Sequence, residues 1–261
     1  MLISDMKVNT LIIPDVHGRQ FWRKAIEDYD AEKIVFLGDY LDMYEYEGIN
    51  EKDQWQGFQD ILQLKKESPE KVILLLGNHD CQYFLPMESS SRYNRWMAGE
   101  YESAFMKNLS DFNIYYKKDY EEKHILFSHA GILPPWVSKY EFDGIQTPEE
   151  VCWTNLPDLD HLLLFDRDKL GKAMDDVSCW RWGPDYCGSI VWADVHEHIN
   201  FSVPDFIQVF SHTQQEKWPI NIENRAYCLD CRRAFFVDDS GNIFDTETNE
   251  VIPVTDIKNI Y

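Results

Sequence analysis

The sequence predicts an α/β protein with two β-sheets, folded as a single domain over residues 1–261, and three observations support this class. NTLIIPDVHG, EKIVFLGDYLD and KVILLLGNHD each run a short apolar stretch into polar residues, as strands buried on both faces do. The segments between them, FWRKAIEDYDAE and DQWQGFQDILQLKKES, space large apolar residues three and four apart, as amphipathic helices do. The last third has short apolar runs separated by Gly, Pro, Asn and Asp, which is typical of antiparallel strands.

Taken in order, the elements begin with a βαβαβ unit, which predicts a parallel sheet whose strands end at one shared edge. Residues 81 to 115 lose strand character and indicate a loop and a helix. HILFSHAGILPPW repeats the strand-to-polar form, and Thr147 with Glu150 predicts a capped helix start and a helical region to about residue 170. Short strands are then predicted in SIVWADV, DFIQVFSHT, NRAYCLD, RAFFVDDSGNIFDTE and VIPV.

Charge and composition exclude several functional classes. Asp and Glu number 46 against 25 Lys and Arg, and the formal charge of -21 disfavours nucleic acid as a partner. No stretch approaches the length of a membrane span and the N-terminal segment does not resemble an export signal, so we expect a soluble, cytoplasmic protein. Six scattered cysteines indicate reduced core thiols. The pair Cys228 and Cys231 has no second pair at zinc-finger spacing, which disfavours a zinc or redox role.

Polar clusters at the ends of the apolar runs are the candidate functional residues. They combine carboxylate oxygens, an amide oxygen and imidazole nitrogens, a set that suits Mn, Fe or Zn rather than Ca. The set exceeds what one ion requires, so we expect two ions about 3.5 to 4 Å apart that share one carboxylate. In chain order the clusters are Asp15 and His17; Asp39 and Asp42; Asn78, His79 and Asp80; His129; and His212.

The motifs DVHG, GDYLD, GNHD, SHAG and SHT resemble the serial motifs of the calcineurin-like metallophosphoesterases, and most closely the serine/threonine phosphoprotein phosphatases with their bacterial and phage relatives. The match runs from residue 15 to about 230. It implies a four-layered α/β/β/α sandwich with two mixed β-sheets. It also implies the site roles: Asp15, His17 and Asp39 for the first metal, Asp39, Asn78, His129 and His212 for the second, and His79 as the general acid, oriented by Asp42.

In such a site a metal-bound hydroxide attacks phosphorus and His79 protonates the departing oxygen. The main departure from the family is at Met43 and Tyr44, because the family usually continues with Arg-Gly and that arginine grips the phosphate. Another group must therefore bind the phosphate. Asn78 is one candidate, and the other candidates are Arg181, Arg92 and Arg95. For Arg181, stacking between its neighbouring tryptophans is the structural alternative.

The resemblance implies a metal-dependent phosphomonoesterase acting on phosphoserine, phosphothreonine or a small phosphoester, with Mn as the expected metal and Fe or Zn as alternatives. The last motif, SHTQ, lacks the second histidine of the nuclease branch, which favours a phosphatase. HAGILPPW is similar to a stretch of bacterial diadenosine tetraphosphate hydrolases, so hydrolysis of dinucleoside polyphosphates or other nucleotides is a second hypothesis. An inactive metal-binding scaffold is a third.

His196 and His198 are expected at solvent-facing strand or loop positions, and Trp180, Trp182 and Trp192 in the core or the cleft wall.

Overall fold

The structure, a computed structural model, describes residues 6–88, 90–121, 123–256 and 258. The strands of these residues are β1 Met6–Ile13, β2 Tyr29–Phe36, β3 Val72–Leu75, β4 Phe112–Asn113, β5 Tyr115–Tyr120, β6 Lys123–Ser128, β7 Ile207–Phe210, β8 Ile220–Ile222, β9 Ala226–Cys228, β10 Phe235–Val237, β11 Ile243–Asp245 and β12 Glu250–Val251. The helices are α1 Phe21–Asp28, α2 Glu51–Glu67, α3 Asn78–Cys81, α4 Ala98–Lys107, α5 Pro134–Lys139, α6 Leu159–Phe165, α7 Arg167–Met174 and α8 Glu197–Phe201.

The first sheet contains the predicted parallel strands. Its order is β12-β11-β10-β1-β2-β3-β4. Strands β1 to β4 pair in parallel, and β10, β11 and β12 extend the sheet with antiparallel pairs on the other side of β1. The apolar runs of β1 to β3 are continuous because helices cover one face of this sheet and the second sheet covers the other.

The second sheet has the order β5-β6-β7-β9-β8. It is mixed, because β6, β7 and β9 run parallel while β5 and β8 pair antiparallel at the two edges. The antiparallel pattern expected for the last third therefore does not hold for β7 and β9. Strand β8 follows β7 in sequence but lies outside β9, which leaves β7 and β9 as parallel neighbours.

The two sheets pack against each other through one face of each. Ile12 and Val35 of the first sheet share a buried cluster with Phe127 of the second. Their neighbours point the other way, and Leu11 packs with Trp22 of α1 in the cluster under the helices. Helix α8 covers the outer face of the second sheet. The predicted α/β fold with two mixed sheets in a helix, sheet, sheet, helix sandwich is confirmed.

Two predicted elements differ in the structure. SIVWADV, residues 189–195, forms turns rather than a strand; its apolar residues are buried because the segment packs under the turn after β6, where the N–H of Ala130 donates to the carbonyl of Ile190 at 2.9 Å. The capping box at Thr147 forms, but it opens a short 3-10 turn, and the α-helices of this region, α6 and α7, begin only at Leu159.

The expectation of solvent-facing strand or loop positions is wrong for His198, whereas His196 does lie in a turn. His196 immediately precedes α8 and is partly buried, while His198 lies within α8 and is fully buried, stacked on Phe210. Residues two positions apart point to nearly opposite sides of a helix, which allows His198 to be buried while His196 stays partly exposed. Trp182 is also not in the core, since its side chain is 98% exposed.

No described helix has the length and apolarity needed to cross a membrane.

All six cysteines are free thiols. Cys228 and Cys231 are buried, and burial raises the pKa of both thiols. For this pair the features agree with core cysteines rather than reactive ones, but the expectation of core thiols is wrong for Cys179, which is exposed.

Candidate active site

The fold brings the predicted polar clusters to one edge, where strands of both sheets end. Asp15 and His17 follow β1, Asp39 and Asp42 follow β2, and Asn78 begins α3 just after β3. The remaining two, His129 and His212, follow β6 and β7 of the second sheet. All of these side chains, together with that of His79, are at most 5% exposed. Residues that are up to 197 positions apart in the chain therefore share one buried site.

Unusual backbone geometry accompanies this convergence. His17, Asp39, Asp42 and His212 have positive φ, between 42° and 63°, a region that non-glycine residues seldom adopt and that often marks functional sites. Gly38 lets two of the loops touch, since a Cβ there would lie 2.5 Å from the backbone nitrogen of Gly77. The chain thus turns sharply after each strand and directs the polar side chains inward.

The first potential metal cluster comprises Asp15, His17 and Asp39. His17 Nε2 lies 3.7 Å from Asp15 Oδ2 and 3.4 Å from Asp39 Oδ2. His17 Nδ1 donates to the carbonyl of Leu41 at 2.7 Å, which leaves the lone pair on Nε2 facing the carboxylates. Burial holds the pKa of His17 well below its ordinary value, and the nearby charges of His79 and Arg92 lower it further. The imidazole is therefore neutral, as a metal ligand must be.

The second potential cluster comprises Asp39, His129 and His212, with Asn78 beside them. His129 Nε2 lies 3.1 Å from Asn78 Oδ1, 3.1 Å from His212 Nδ1 and 3.6 Å from Asp39 Oδ2. His129 Nδ1 donates to the carbonyl of Leu37 at 2.9 Å, which directs Nε2 toward the other members of the cluster. Burial, followed by the charge of Arg181, holds the pKa of His212 well below its ordinary value.

These donor atoms fit a pair of metal ions. In each cluster the carboxylate and imidazole ligand atoms lie within 4.8 Å of one another in a buried space, an arrangement that a cation would stabilise. Asp39 Oδ2 belongs to both clusters, and burial raises the pKa of this carboxyl above its ordinary value, against the opposing charges of His129 and His79. Carboxylate, amide and imidazole ligands suit Mn, Fe or Zn.

Beside the metal clusters, His79 pairs with Asp42. His79 Nδ1 donates to Asp42 Oδ2 at 2.9 Å, and the His79 ring lies 5.2 Å from the ring of His17. Asp42 also accepts hydrogen bonds from Gln82 Nε2 at 2.5 Å and from the hydroxyl of Tyr83. Three donors therefore fix the carboxylate that orients the imidazole.

Sequence reasoning assigned no role to several residues that build this site. The Asp80 carboxylate accepts from the backbone nitrogens of Asp39 at 2.7 Å, Tyr40 at 3.0 Å and Gly77 at 2.9 Å, and so ties two of the loops together. Gln82 and Tyr83 lie two and three residues after GNHD, and that proximity was the available signal. Asp230 is buried close to Asp15, and its pKa is raised well above the ordinary value by burial and then by the charge of Asp15; nothing in its sequence context marks it.

The candidate arginines differ in their surroundings. Arg92 Nε donates to the carbonyl of Asp42 at 2.9 Å, and its Nη2 lies 3.0 Å from His79 Nε2. Arg181 Nη1 lies 3.6 Å from Asp194 Oδ2, and its Nη2 donates to the carbonyl of His212 at 3.5 Å. Arg95 is exposed on the cleft wall beside Arg92.

Comparison with known proteins places the chain in a family. It belongs to the calcineurin-like phosphoesterases, whose family model matches residues 8–216. By family it is therefore a metal-dependent phosphoesterase, and the resemblance of its motifs is confirmed. No curated protein sequence matches it.

Solved structures with TM-scores above 0.5 agree on the fold. A cold-active protein-tyrosine phosphatase of a psychrophile, Shewanella sp., matches with a TM-score of 0.59 at 15% identity, covering 96% of this chain and 82% of that one. A second structure of a cold-active protein tyrosine phosphatase has a TM-score of 0.54 at 15% identity, with coverages of 95% and 82%. A protein serine/threonine phosphatase from Saccharomyces cerevisiae matches with a TM-score of 0.44 at 12% identity, with coverages of 91% and 73%.

Proposed function

We propose that this protein is a dinuclear metal-dependent phosphomonoesterase of the serine/threonine protein phosphatase type. The observation that carries the proposal is the pair of Asp/His clusters that share Asp39, with the His79 and Asp42 pair beside them. Its substrate is a phosphorylated protein or a small phosphoester. Neither nucleic acid nor a membrane is a partner in this proposal, and the charge of -21 supports the exclusion of polyanions.

The proposed ligands follow from the two clusters. Asp15, His17 and Asp39 hold the first ion, and Asp39 bridges to a second ion held by Asn78, His129 and His212. Manganese is the metal we favour, with iron or zinc as alternatives, because the ligand set accepts all three. When bound, such ions supply a strong nucleophile at neutral pH and neutralise charge on the phosphoryl group.

The protein's own residues orient the substrate and deliver a proton. Asn78 and one guanidinium, that of Arg181 or Arg92, bind phosphoryl oxygens. His79 Nε2 gives a proton to the departing oxygen, while Asp42 holds the ring through Nδ1 and stabilises its charged form. The low exposure of the cluster excludes most water, which strengthens these electrostatic contacts.

We also infer that residues 1–261 act as one domain and that the protein works in the cytoplasm. Two core clusters support the first inference, since the cluster between the sheets and the cluster under the helices both draw residues from β1. Six free cysteines suit a reducing compartment, which supports the second.

A substrate panel tests the function. We expect the manganese-loaded protein to hydrolyse p-nitrophenyl phosphate and a phosphoserine or phosphothreonine peptide, and to act poorly on a dinucleoside tetraphosphate. Preferred cleavage of the tetraphosphate would replace the proposal with a nucleotide hydrolase. Stoichiometric binding of two metals without turnover in Mn, Fe, Co or Zn would instead support a metal-binding scaffold.

A further inference from the structure

Arg92 has a position that neither the metal clusters nor the acid pair explains. Its guanidinium lies over the ring of Tyr44, 3.7 Å from the ring centroid, and reaches within 3.0 Å of His79 Nε2. The Tyr44 ring in turn contacts the edge of the His17 imidazole, with the ring centroids 5.1 Å apart. The guanidinium therefore lies beside the proposed acid, on an aromatic ring that also contacts the first metal cluster.

The charge of this guanidinium is not neutralised. Across the described ranges, no carboxylate comes within ion-pair distance of Arg92, and its contacts are a carbonyl, an imidazole nitrogen and an aromatic face. Arg181 differs, since the carboxylate of Asp194 already pairs with it at 3.6 Å. A partly buried guanidinium without a counter-ion beside a reaction centre is suited to bind an anion.

The loop that carries Arg92 is anchored on both sides of it. On one side, the backbone nitrogen and hydroxyl of Ser90 donate to Gln82 Oε1 at 2.7 and 2.8 Å. On the other, the backbone nitrogen of Asn94 donates to the hydroxyl of Tyr83 at 2.9 Å. Gln82 and Tyr83 are also donors to Asp42, so the same two residues position the acid pair and the arginine loop.

We propose that Arg92 is the guanidinium that binds the substrate phosphoryl group, from a loop distant in sequence, and that Tyr44 is the positioning residue that holds it. The assignment rests on the proposed phosphatase function. Met43 offers no cation, but the next residue, Tyr44, supplies an aromatic platform for one. On binding, Nη2 of Arg92 exchanges the imidazole nitrogen of His79 for a phosphoryl oxygen.

Binding of inorganic phosphate to the manganese-loaded protein tests the assignment without requiring turnover. We expect Arg92→Gln to weaken phosphate binding about 10- to 100-fold, the usual loss for charge-assisted hydrogen bonds, and Arg92→Lys to weaken it less. Tyr44→Leu should weaken phosphate binding, whereas Tyr44→Phe, which keeps the ring, should bind phosphate as tightly as the parent. Arg95→Gln makes the same charge change three residues along the loop and is the matched comparison.

The outcomes separate the two proposals. If Arg92→Gln and Arg95→Gln lose the same phosphate affinity, the effect is one of general loop charge and the assignment is overturned. It is also overturned if Arg92→Gln binds phosphate as tightly as the parent, or if the parent binds no phosphate. If the parent binds phosphate through Arg92 but hydrolyses no phosphomonoester, the proposed function fails while the assignment stands. Should Arg92→Gln not fold, the same comparison is made with Arg92→Lys and the Tyr44 pair.

Discussion

At the scale of single residues, the proposed proton transfer depends on how firmly Asp42 is held. A carboxylate that accepts from three donors cannot rotate freely, so His79 keeps its Nδ1 on Asp42 and its Nε2 toward the cleft. The contact between Arg92 and His79 Nε2 occupies the atom that must deliver the proton. Substrate binding therefore has to remove that contact before proton transfer can occur.

We expect His79→Asn to leave the metal content intact and to lower turnover about 100- to 10,000-fold on phosphoesters with poor leaving groups, because those groups need a proton. The loss should be much smaller for p-nitrophenyl phosphate, whose leaving group needs none. Turnover of both substrates and metal analysis of the purified variant check this. His161→Asn, at an exposed position of α6, is the matched control. Equal losses on both substrates would exclude His79 as the acid.

Residue by residue, sequence reasoning could find donors with distinctive chemistry at strand ends and little else. Asp15, His17 and Asp39 stand out because a polar residue directly after a buried strand is unusual. Tyr83 and Asp230 do not, because their roles come from contacts made only in the folded chain. The same limit applies to Arg92, whose role depends on how a loop folds back over Tyr44.

At the scale of elements, helix α8 supports the turn that carries His129. His198 Nε2 donates to the carbonyl of Ala130 at 2.9 Å, and its ring stacks on Phe210 with the centroids 4.3 Å apart. Gly131 makes this packing possible: it has a φ of 89°, and a Cβ there would lie 2.1 Å from the His198 ring. The helix thereby fixes the backbone beside a proposed metal ligand.

This packing predicts a dependence on pH. Burial lowers the pKa of His198 to about 4, below the ordinary value near 6.5 that the unfolded chain would show. The stability that the neutral ring contributes is complete above pH 6.5 and is lost as pH falls towards 4. We expect His198→Leu to be less stable than the parent at pH 7, yet to lose about 2 kcal/mol less between pH 7 and pH 5.

Urea unfolding of the metal-free proteins at several pH values measures this difference. His161→Leu makes the same substitution on the surface and should follow the parent at every pH. Parallel pH profiles for the parent and His198→Leu would contradict the prediction.

Among the elements, the parallel start of the first sheet was predictable because its first three strands contain continuous apolar runs and are separated by amphipathic helices. The segment 189–195 was not, since a short buried turn and a short buried strand have the same apolar composition. Strand β5 was missed because it lies at a sheet edge, where Lys117 and Lys118 break the apolar pattern.

At the scale of the whole molecule, the proposed metal ions would join the two sheets. The first sheet supplies Asp15, His17 and Asp39, and the second supplies His129 and His212. Without a cation, the carboxylates of Asp15 and Asp39 repel each other in a buried space, and burial raises the pKa of Asp39. The site therefore lowers stability when metal-free and raises it when occupied.

Asp39→Asn separates these two effects. Asparagine tolerates the positive φ of 53° at this position and keeps an oxygen for the bond from the backbone nitrogen of His79. Because a buried charge is removed, we expect the metal-free variant to melt at a higher temperature than the metal-free parent. Manganese at about 100 times its Kd should stabilise the parent by about 3 kcal/mol, or roughly 5 to 10 °C for a chain of this size, and the variant by much less.

Thermal melts with chelator and with manganese measure both shifts, and Asp30→Asn on β2, the strand that precedes Asp39, is the control. Asp30 is exposed, 3.7 Å from Lys71 Nζ, so its substitution should change stability by less than about 1 kcal/mol and keep the manganese shift. A metal-free Asp39→Asn protein that melts below the parent would show that this carboxylate is stabilising without metal. If manganese raises the melting temperature of Asp39→Asn as much as that of the parent, then Asp39 does not bridge the two ions. The ions would in that case join the two sheets without this carboxylate.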